Sequence, residues 1–235
     1  MNSKKNNQTG KAYPYYVFFD VDETLINVKS MFDFLKYFFQ SEAGKISTLG
    51  TWKYFLFFYK LKILSKLGVD RSRINKLYYL AYKNKSWDHI KNCGSVWFQE
   101  KIDSKGFLKD TVIRELKEHK KNGAGIVLVS GSFSACLDPL KDYLEADYCL
   151  CTKLEIIDDI CTGYVIQPQT IGKGKVEAIR LFLKQCGFSD LQSCFAYGDH
   201  ISDVPMMEIV GNPVVVINTK EFEMYAKSRG WRMLS

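Results

Sequence analysis

Residues 15–26 read YYVFFDVDETLI, and this stretch decides the fold. Tyr15 to Phe19 is an unbroken run of aromatic residues and Val, the mark of a strand buried on both faces. It stops at Asp20-Val21-Asp22-Glu23-Thr24. Open α/β sheets place their ligands just beyond the carboxyl ends of their strands, which is where these acids fall. Side chains two apart in extended backbone point the same way, so Asp20 and Asp22 share a face. Two carboxylates held close resist double ionisation unless they share a cation or a proton. One can then serve as ligand and nucleophile and the other as proton shuttle. The plainer alternative is an acidic turn that caps a helix.

The texture changes outward from this stretch. From Lys29 to about Ser104 helix formers dominate, apolar residues recur at helical spacing and proline is missing. The spacing predicts helices over roughly 30–40, 46–66, 71–83 and 87–103, with Asp70 and Ser86 as N-caps and Gly68 as a stop. After Gly106 strands and helices alternate. Helices are expected over 108–121, 133–145 (with Pro139 placed to kink it), 173–186, 203–209 and 220–228. Strands are expected over 125–129, 148–151, 194–197 and 214–217, and a hairpin pairs 154–157 with 163–166 around Asp158-Asp159. This alternation predicts an α/β fold, a doubly wound parallel sheet of Rossmann-like type, with an all-helical cap inserted after the first strand. The expected division is a disordered arm over 1–13, a core made of 14–28 and 105–235, and a cap over 29–104. No internal repeat is present.

Composition narrows the classes of partner. Hydrophobic residues make up 46% and charged residues 25%, ordinary for a water-soluble globular chain. The net charge of +7 is spread along the chain and no nucleic-acid module is visible, so nucleic acid is not an expected partner. A basic surface of this kind instead steers anions. Seven cysteines, an odd number with no secretory signal and no His/Cys grouping, suggest a reduced cytoplasmic protein without structural zinc. The most apolar segment, TWKYFLFFYKLKIL over 51–64, is interrupted by Lys53, Lys60 and Lys62 and is too short to span a membrane. Its aromatics Trp52, Tyr54, Phe55, Phe57, Phe58 and Tyr59 are expected to pack the cap's core, and membrane contact is not expected. An interfacial helix or a cap that faces lipid is the alternative.

Three further polar sites follow predicted strands or open predicted helices. In VLVSGSFS (127–134), the Ser130 hydroxyl and neighbouring N–H groups form an anion site at a loop feeding a helix, unless Ser130 is a plain N-cap. In IGKGKVEAI (171–179), Lys173 and Lys175 stand at a helix start, where the helix dipole disfavours a cation and an anion would compensate. Either lysine suits a phosphoryl clamp, and a solvated surface lysine is the plainer alternative. In YGDHISDVPMM (197–207), Asp199 and Asp203 are hard carboxylates of the kind that hold Mg²⁺, and Asp203 can also cap the next helix. His200 between them suits a local hydrogen bond or the leaving-group side of a site.

DVDET, VLVSGS, the lysine of GKGK and GDHISD resemble the four motifs of the haloacid dehalogenase superfamily of phosphohydrolases. The helical insert looks like the cap of the branch that contains phosphoserine phosphatase. The resemblance runs from about Tyr16 to Ile217, and Gly230-Trp231 is also similar to that branch. It implies a phosphatase that hydrolyses a small phosphate monoester, such as phosphoserine or ethanolamine phosphate, through an aspartyl-phosphate. It implies Asp20 as nucleophile, Asp22 as acid and base, and Mg²⁺ held by Asp20, the Asp22 backbone carbonyl and Asp199. Ser130 and the Gly131 N–H would hold phosphoryl oxygens. Lys175, followed by the helical run Val176–Ile179, fits the motif lysine better than Lys173. Asp203 would orient Lys175 or a water from behind, and Thr24 would fix the loop and assist at the phosphate.

The sequence also departs from that branch. Lys29 stands where phosphoserine enzymes carry an amine-binding acid, and His200-Ile201-Ser202 replaces their small-residue and Asn pattern. A basic residue suits an acidic or neutral substrate, unless Asp33 takes the amine. Two alternatives remain: a lipid-phosphate phosphatase at the membrane surface, and a non-enzymatic phosphoacceptor or binding module. Asp22 and the insert speak against the second, because a phosphoacceptor needs no acid for a leaving alcohol.

Overall fold

β1 (Tyr16–Asp20) is buried along its whole length and divides its side chains by parity. Val17 and Phe19 enter one hydrophobic layer, Tyr16 and Phe18 the other. The computed structural model describes residues 12–41 and 48–235. β1 lies at the centre of an eight-stranded sheet. To one side lie β3 (Gly125–Phe133), β4 (Tyr148–Ile157), β5 (Ile160–Ile166) and the short β2 (Lys85–Ser86). To the other lie β6 (Phe195–Gly198), β7 (Asn212–Val216) and β8 (Arg232–Leu234). Six strands run parallel, while β5 is antiparallel to β4 and β2 to β5. The chain runs from β1 outward through β3 and β4, then crosses to β6, β7 and β8. Strand order therefore reverses between β1 and β6, the place where such sheets open a ligand crevice.

Helices α5 (Asp110–Lys121), α6 (Ser134–Tyr143), α7 (Lys173–Cys186), the short α8 (Val204–Met207) and α9 (Lys220–Arg229) alternate with the core strands. Between β1 and α5 come α1 (Ser30–Ser41), α2 (Thr48–Lys66), α3 (Arg71–Tyr79) and α4 (Trp87–Ile102). Asp70 caps α3 by accepting from the Ser72 and Arg73 N–H groups, and Ser86 caps α4 by accepting from His89 N–H. The helical segment shares one core with the sheet. Phe133, at the end of β3, sits 5.8 Å from the Phe34 ring and 5.1 Å from the Tyr82 ring. Gly94 lets the backbones of α4 and α6 meet: a Cβ there would lie 1.9 Å from the Ala135 carbonyl oxygen.

Several boundaries differ from expectation. β3 continues through Ser130-Gly131-Ser132, with a shift of register between Ser130 and Phe133, so these residues lie on extended strand and not in a loop at a helix N-terminus. β4 is one strand where two were expected, because its second half leaves the parallel core and pairs only with β5. Asp158 and Asp159 both have positive φ, the two-residue turn that suits a tight hairpin. α6 runs through Pro139. β2 and β8 were not expected; each is two or three residues long and carries too little pattern to read. Residues 1–11 of the expected arm, and 46 and 47 of an expected helix, lie outside the described residues. Tyr13, assigned to that arm, is instead buried; its ring lies 5.4 Å from that of Tyr16 and its hydroxyl donates to Asp147.

Candidate active site

The carboxyl ends of β1, β3 and β6 and the start of α7 meet under α1, α2 and α3, around a cavity of about 560 Å³. Asp20, the last residue of β1, is buried there beside Lys175 from the first turn of α7. The Lys175 ammonium donates to Asp20 Oδ1 and, at 2.7 Å, to Asp203 Oδ1. Burial by itself would lower the Lys175 pKa, but the charges and hydrogen bonds of Asp20 and Asp203 outweigh it and hold the lysine protonated. Lys173, two residues earlier, is exposed and forms no part of the cavity wall. Asp203 makes no capping bond to α8, so its carboxylate serves the lysine and not the helix.

Asp199, just beyond β6, is held from both sides. Thr24 Oγ1 donates to its Oδ1 at 3.1 Å and Asn218 Nδ2 to its Oδ2 at 2.7 Å. Gly198 is required beneath it, since a Cβ there would lie 2.7 Å from Asp203 Cβ. Thr24, expected to fix the loop and assist at the phosphate, is fully buried behind the acids, with its hydroxyl turned to Asp199. Asn218 was not foreseen. It lies two residues beyond the carboxyl end of β7, and the strand-end rule applied to this strand too would have found it.

Asp22 accepts from Ser30 N–H at 3.0 Å, at the first residue of α1. Burial raises its pKa to about 6, against the lowering effects of the Ser30 bonds and Lys175. Ser130 is buried in the cavity wall and accepts from Ser132 N–H at 3.0 Å. The Gly131 carbonyl is fixed by donors from two elements, Tyr79 Oη and Thr152 Oγ1, both at 2.9 Å. Tyr79 thus ties α3 to the end of β3.

Asp20, Asp199 and Asp203 each offer an oxygen within 4.8 Å of the others, and all three are buried. Burial raises the Asp20 pKa well above the usual range; Lys175 opposes this, and the charges of Asp203 and Asp199 reinforce it. Burial, with Asp203, raises that of Asp199 as well. Together with Asp22, four carboxylates gather about the buried Lys175 ammonium. A donor set of hard oxygens with a deficit of positive charge fits a divalent cation such as Mg²⁺.

At the rim, Lys29 pairs with Glu23 at 3.2 Å, and His200 Nδ1 accepts from Ser202 N–H at 3.1 Å. Asp33 is engaged elsewhere: Trp97 Nε1 and Lys101 Nζ both donate to it at 2.7 Å, and it is no part of the cavity wall. The helices over the cavity line it with an apolar roof of Met31, Phe32, Phe58, Leu61 and Ile74, with Lys62, Ser65 and Asn75 as polar groups among them.

Comparison with known proteins agrees with this architecture. The chain is 30% identical over 220 residues to an "inhibition of morphological differentiation protein" of Streptomyces azureus, covering 92% of this chain and 76% of that one. It is 29% identical over 221 residues to a probable phosphatase of Mycobacterium tuberculosis, covering 93% and 74%. A Bordetella pertussis protein of unknown function has the same fold (TM-score 0.85, 18% identity, covering 95% of this chain and 99% of that one). So does a phosphoserine phosphatase captured as a phospho-aspartyl intermediate analogue (TM-score 0.62, 19% identity, covering 91% of each). Residues 17–208 match the family model of the haloacid dehalogenase-like hydrolases. A hydrolase family leaves no place for the non-enzymatic phosphoacceptor. This chain belongs to the haloacid dehalogenase-like hydrolases.

Proposed function

We propose that this hydrolase is a Mg²⁺-dependent phosphatase that cleaves a phosphate monoester through a covalent aspartyl-phosphate on Asp20. The observation that carries this is the buried Asp20 carboxylate, bonded to a protonated Lys175, at the floor of a cavity that also holds Ser130 and Asp22. Asp20, Asp199 and the backbone carbonyl of Asp22 would hold Mg²⁺, with Asp203 close behind. The cation would supply positive charge where the phosphoryl oxygens gather.

In the first half-reaction an Asp20 oxygen forms a bond to phosphorus as the bond from phosphorus to the leaving oxygen breaks. Asp22, with a pKa raised to about 6, transfers its proton to that oxygen. In the second half, Asp22 takes a proton from the water that attacks phosphorus, inorganic phosphate leaves and the Asp20 carboxylate is restored. Lys175 balances the charge between Asp20 and the phosphoryl group throughout, and Ser130 with the Gly131 N–H holds the equatorial oxygens. The cap, approximately residues 29–104, covers the leaving group.

The substrate is a small phosphorylated metabolite or another molecule with a phosphate head. Lys29, paired with Glu23 where an amine-binding acid would stand, and the engaged Asp33 argue against strict phosphoserine specificity. The apolar roof favours a lipid phosphate as the second candidate. A phosphate-release screen with Mg²⁺ over phosphoserine, ethanolamine phosphate, glycerol phosphates and sugar phosphates ranks these classes. Asp20→Asn is expected to abolish release from p-nitrophenyl phosphate, and turnover retained in that variant would sink the nucleophile assignment.

A further inference from the structure

α2 is apolar on two faces. Its inner face carries Tyr54, Leu61 and the half-buried Phe57 and Phe58. Its outer face carries Trp52 (69% exposed), Leu56 (72%), Tyr59 (57%) and Ile63 (56%). At 3.6 residues per turn these four, with Leu49, fall within an arc of about 80°, a continuous stripe along the helix. The expectation that the aromatic run packs the cap's core therefore holds for Tyr54, Phe57 and Phe58 and fails for Trp52, Phe55 and Tyr59. A contiguous apolar stripe exposed along a helix marks an interaction surface, so this outer stripe calls for a partner.

The charge around the stripe identifies one. α2 contains Lys53, Lys60, Lys62 and Lys66 and no acidic residue. On a helical projection Lys53 and Lys60 flank the stripe on one side, and Lys66 and Lys62 on the other. Trp and Tyr among aliphatic residues, bordered on both sides by lysines, make the pattern of a helix lying in a lipid interface with its ammonium groups at the headgroups. No helix among the described residues is long and apolar enough to cross a bilayer, so the contact is in the plane of the surface. The same helix lines the catalytic cavity with Phe58, Leu61, Lys62 and Ser65.

We propose that α2 docks the protein on an anionic lipid bilayer and so presents the cavity to phosphate monoesters whose leaving group is anchored in that bilayer. The docking rests on α2 alone; only the substrate class rests on the phosphatase reading.

The test uses the full chain in co-sedimentation with vesicles of phosphatidylcholine alone and of phosphatidylcholine mixed with phosphatidylglycerol. The protein is expected to pellet with the anionic vesicles, to stay largely in solution with the neutral ones and to be released by salt. Leu56→Glu combined with Ile63→Glu is expected to weaken binding about tenfold or more. Lys53→Gln combined with Lys60→Gln, which leaves the apolar stripe intact, is expected to do the same. All four positions lie outside the catalytic machinery, so turnover of p-nitrophenyl phosphate is expected to be unchanged and to certify the fold. The proposal is overturned if the wild type ignores anionic vesicles, or if both variants bind like the wild type. It is equally overturned if the stripe is covered by a second copy, seen as a dimer that the Leu56 and Ile63 substitutions dissociate. Wild-type pelleting without phosphatase turnover would sink the proposed activity and leave the docking standing. If both hold, an alkyl phosphate embedded in anionic vesicles is hydrolysed faster by the wild type than by either variant.

Discussion

Asp199 illustrates how much of this site is positioning. Its two oxygens are engaged by Thr24 and Asn218, neither of which lines the cavity. Groups that orient a metal ligand from behind commonly contribute 10–100-fold to metal affinity. Asn218→Ala is therefore expected to raise the Mg²⁺ concentration for half-maximal turnover by about 10–100-fold, with a smaller change in turnover at saturating Mg²⁺. An unchanged Mg²⁺ requirement would show that Asn218 does not position Asp199. Asp22 makes the complementary case. Its carboxylate is held by the first N–H of α1 and keeps its proton to higher pH than an exposed carboxylate does. Asp22→Asn preserves that bond and removes the transferable proton. Turnover is expected to fall by about 10²–10⁴-fold, measured as phosphate release from a substrate with a poor leaving group.

At the scale of elements, the helical segment is attached to the core in two ways. α1 and α4 share the aromatic core around Phe34, Tyr82, Trp97 and Phe133. α3 adds polar bonds to its own ring contact (Tyr79 to Phe133, 5.4 Å): Tyr79 to the Gly131 carbonyl and, at 2.7 Å, Asn75 Nδ2 to Gln169 Oε1. Gly94 of α4 lies in close apposition to Ala135 of α6. A methyl group cannot fit against a backbone carbonyl without separating the helices, and overpacking of this kind costs about 1–3 kcal/mol. Gly94→Ala is expected to lower the urea midpoint accordingly, and an unchanged midpoint would show that the two helices part without cost.

The whole molecule carries a polar network on the face of the sheet away from α7, running from buried His119 and Tyr197 out to exposed Arg232. His119 Nε2 lies 2.9 Å from Tyr197 Oη, its Nδ1 lies 3.1 Å from Tyr15 Oη, and Tyr197 Oη donates to Glu115, which is paired with Arg232 of β8. Burial lowers the His119 pKa, and the Arg232 hydrogen bonds lower that of Glu115. The sign follows from which state binds more protons. Below the unfolded histidine value of about 6.5 the unfolded chain takes up a proton that folded His119 refuses, so stability is full above that pH and is lost as pH falls toward the depressed folded value. Glu115 adds a second loss, below about 4.5, where the unfolded carboxylate protonates first. The raised carboxylates of the active site act in the opposite sense over this range and are common to both proteins, so the urea midpoint of the wild type is expected to lose ground relative to that of His119→Gln at pH 7, 6 and 5 in turn. Parallel slopes would remove His119 from the account.

Much of this was legible in the chain alone. The apolar run before Asp20, the strand–helix alternation after Gly106 and the polar residues at strand ends depend on local pattern and period, which neighbouring residues determine without help. The fold class, the helical insert and the set of residues gathered at the cavity follow from such patterns. Tertiary structure decided what depends on residues distant in sequence. It chose Lys175 over Lys173 as the partner of Asp20, because only one side of a helix start can face β1. It turned Thr24 toward Asp199 and away from the cavity, brought Asn218 to the same carboxylate, and engaged Asp33 with Trp97 and Lys101. It also decided which side of the aromatic run in α2 is core and which is surface. Both faces of that helix are apolar, so the pattern has no direction of its own, and only the packing of α2 against its neighbours supplies one.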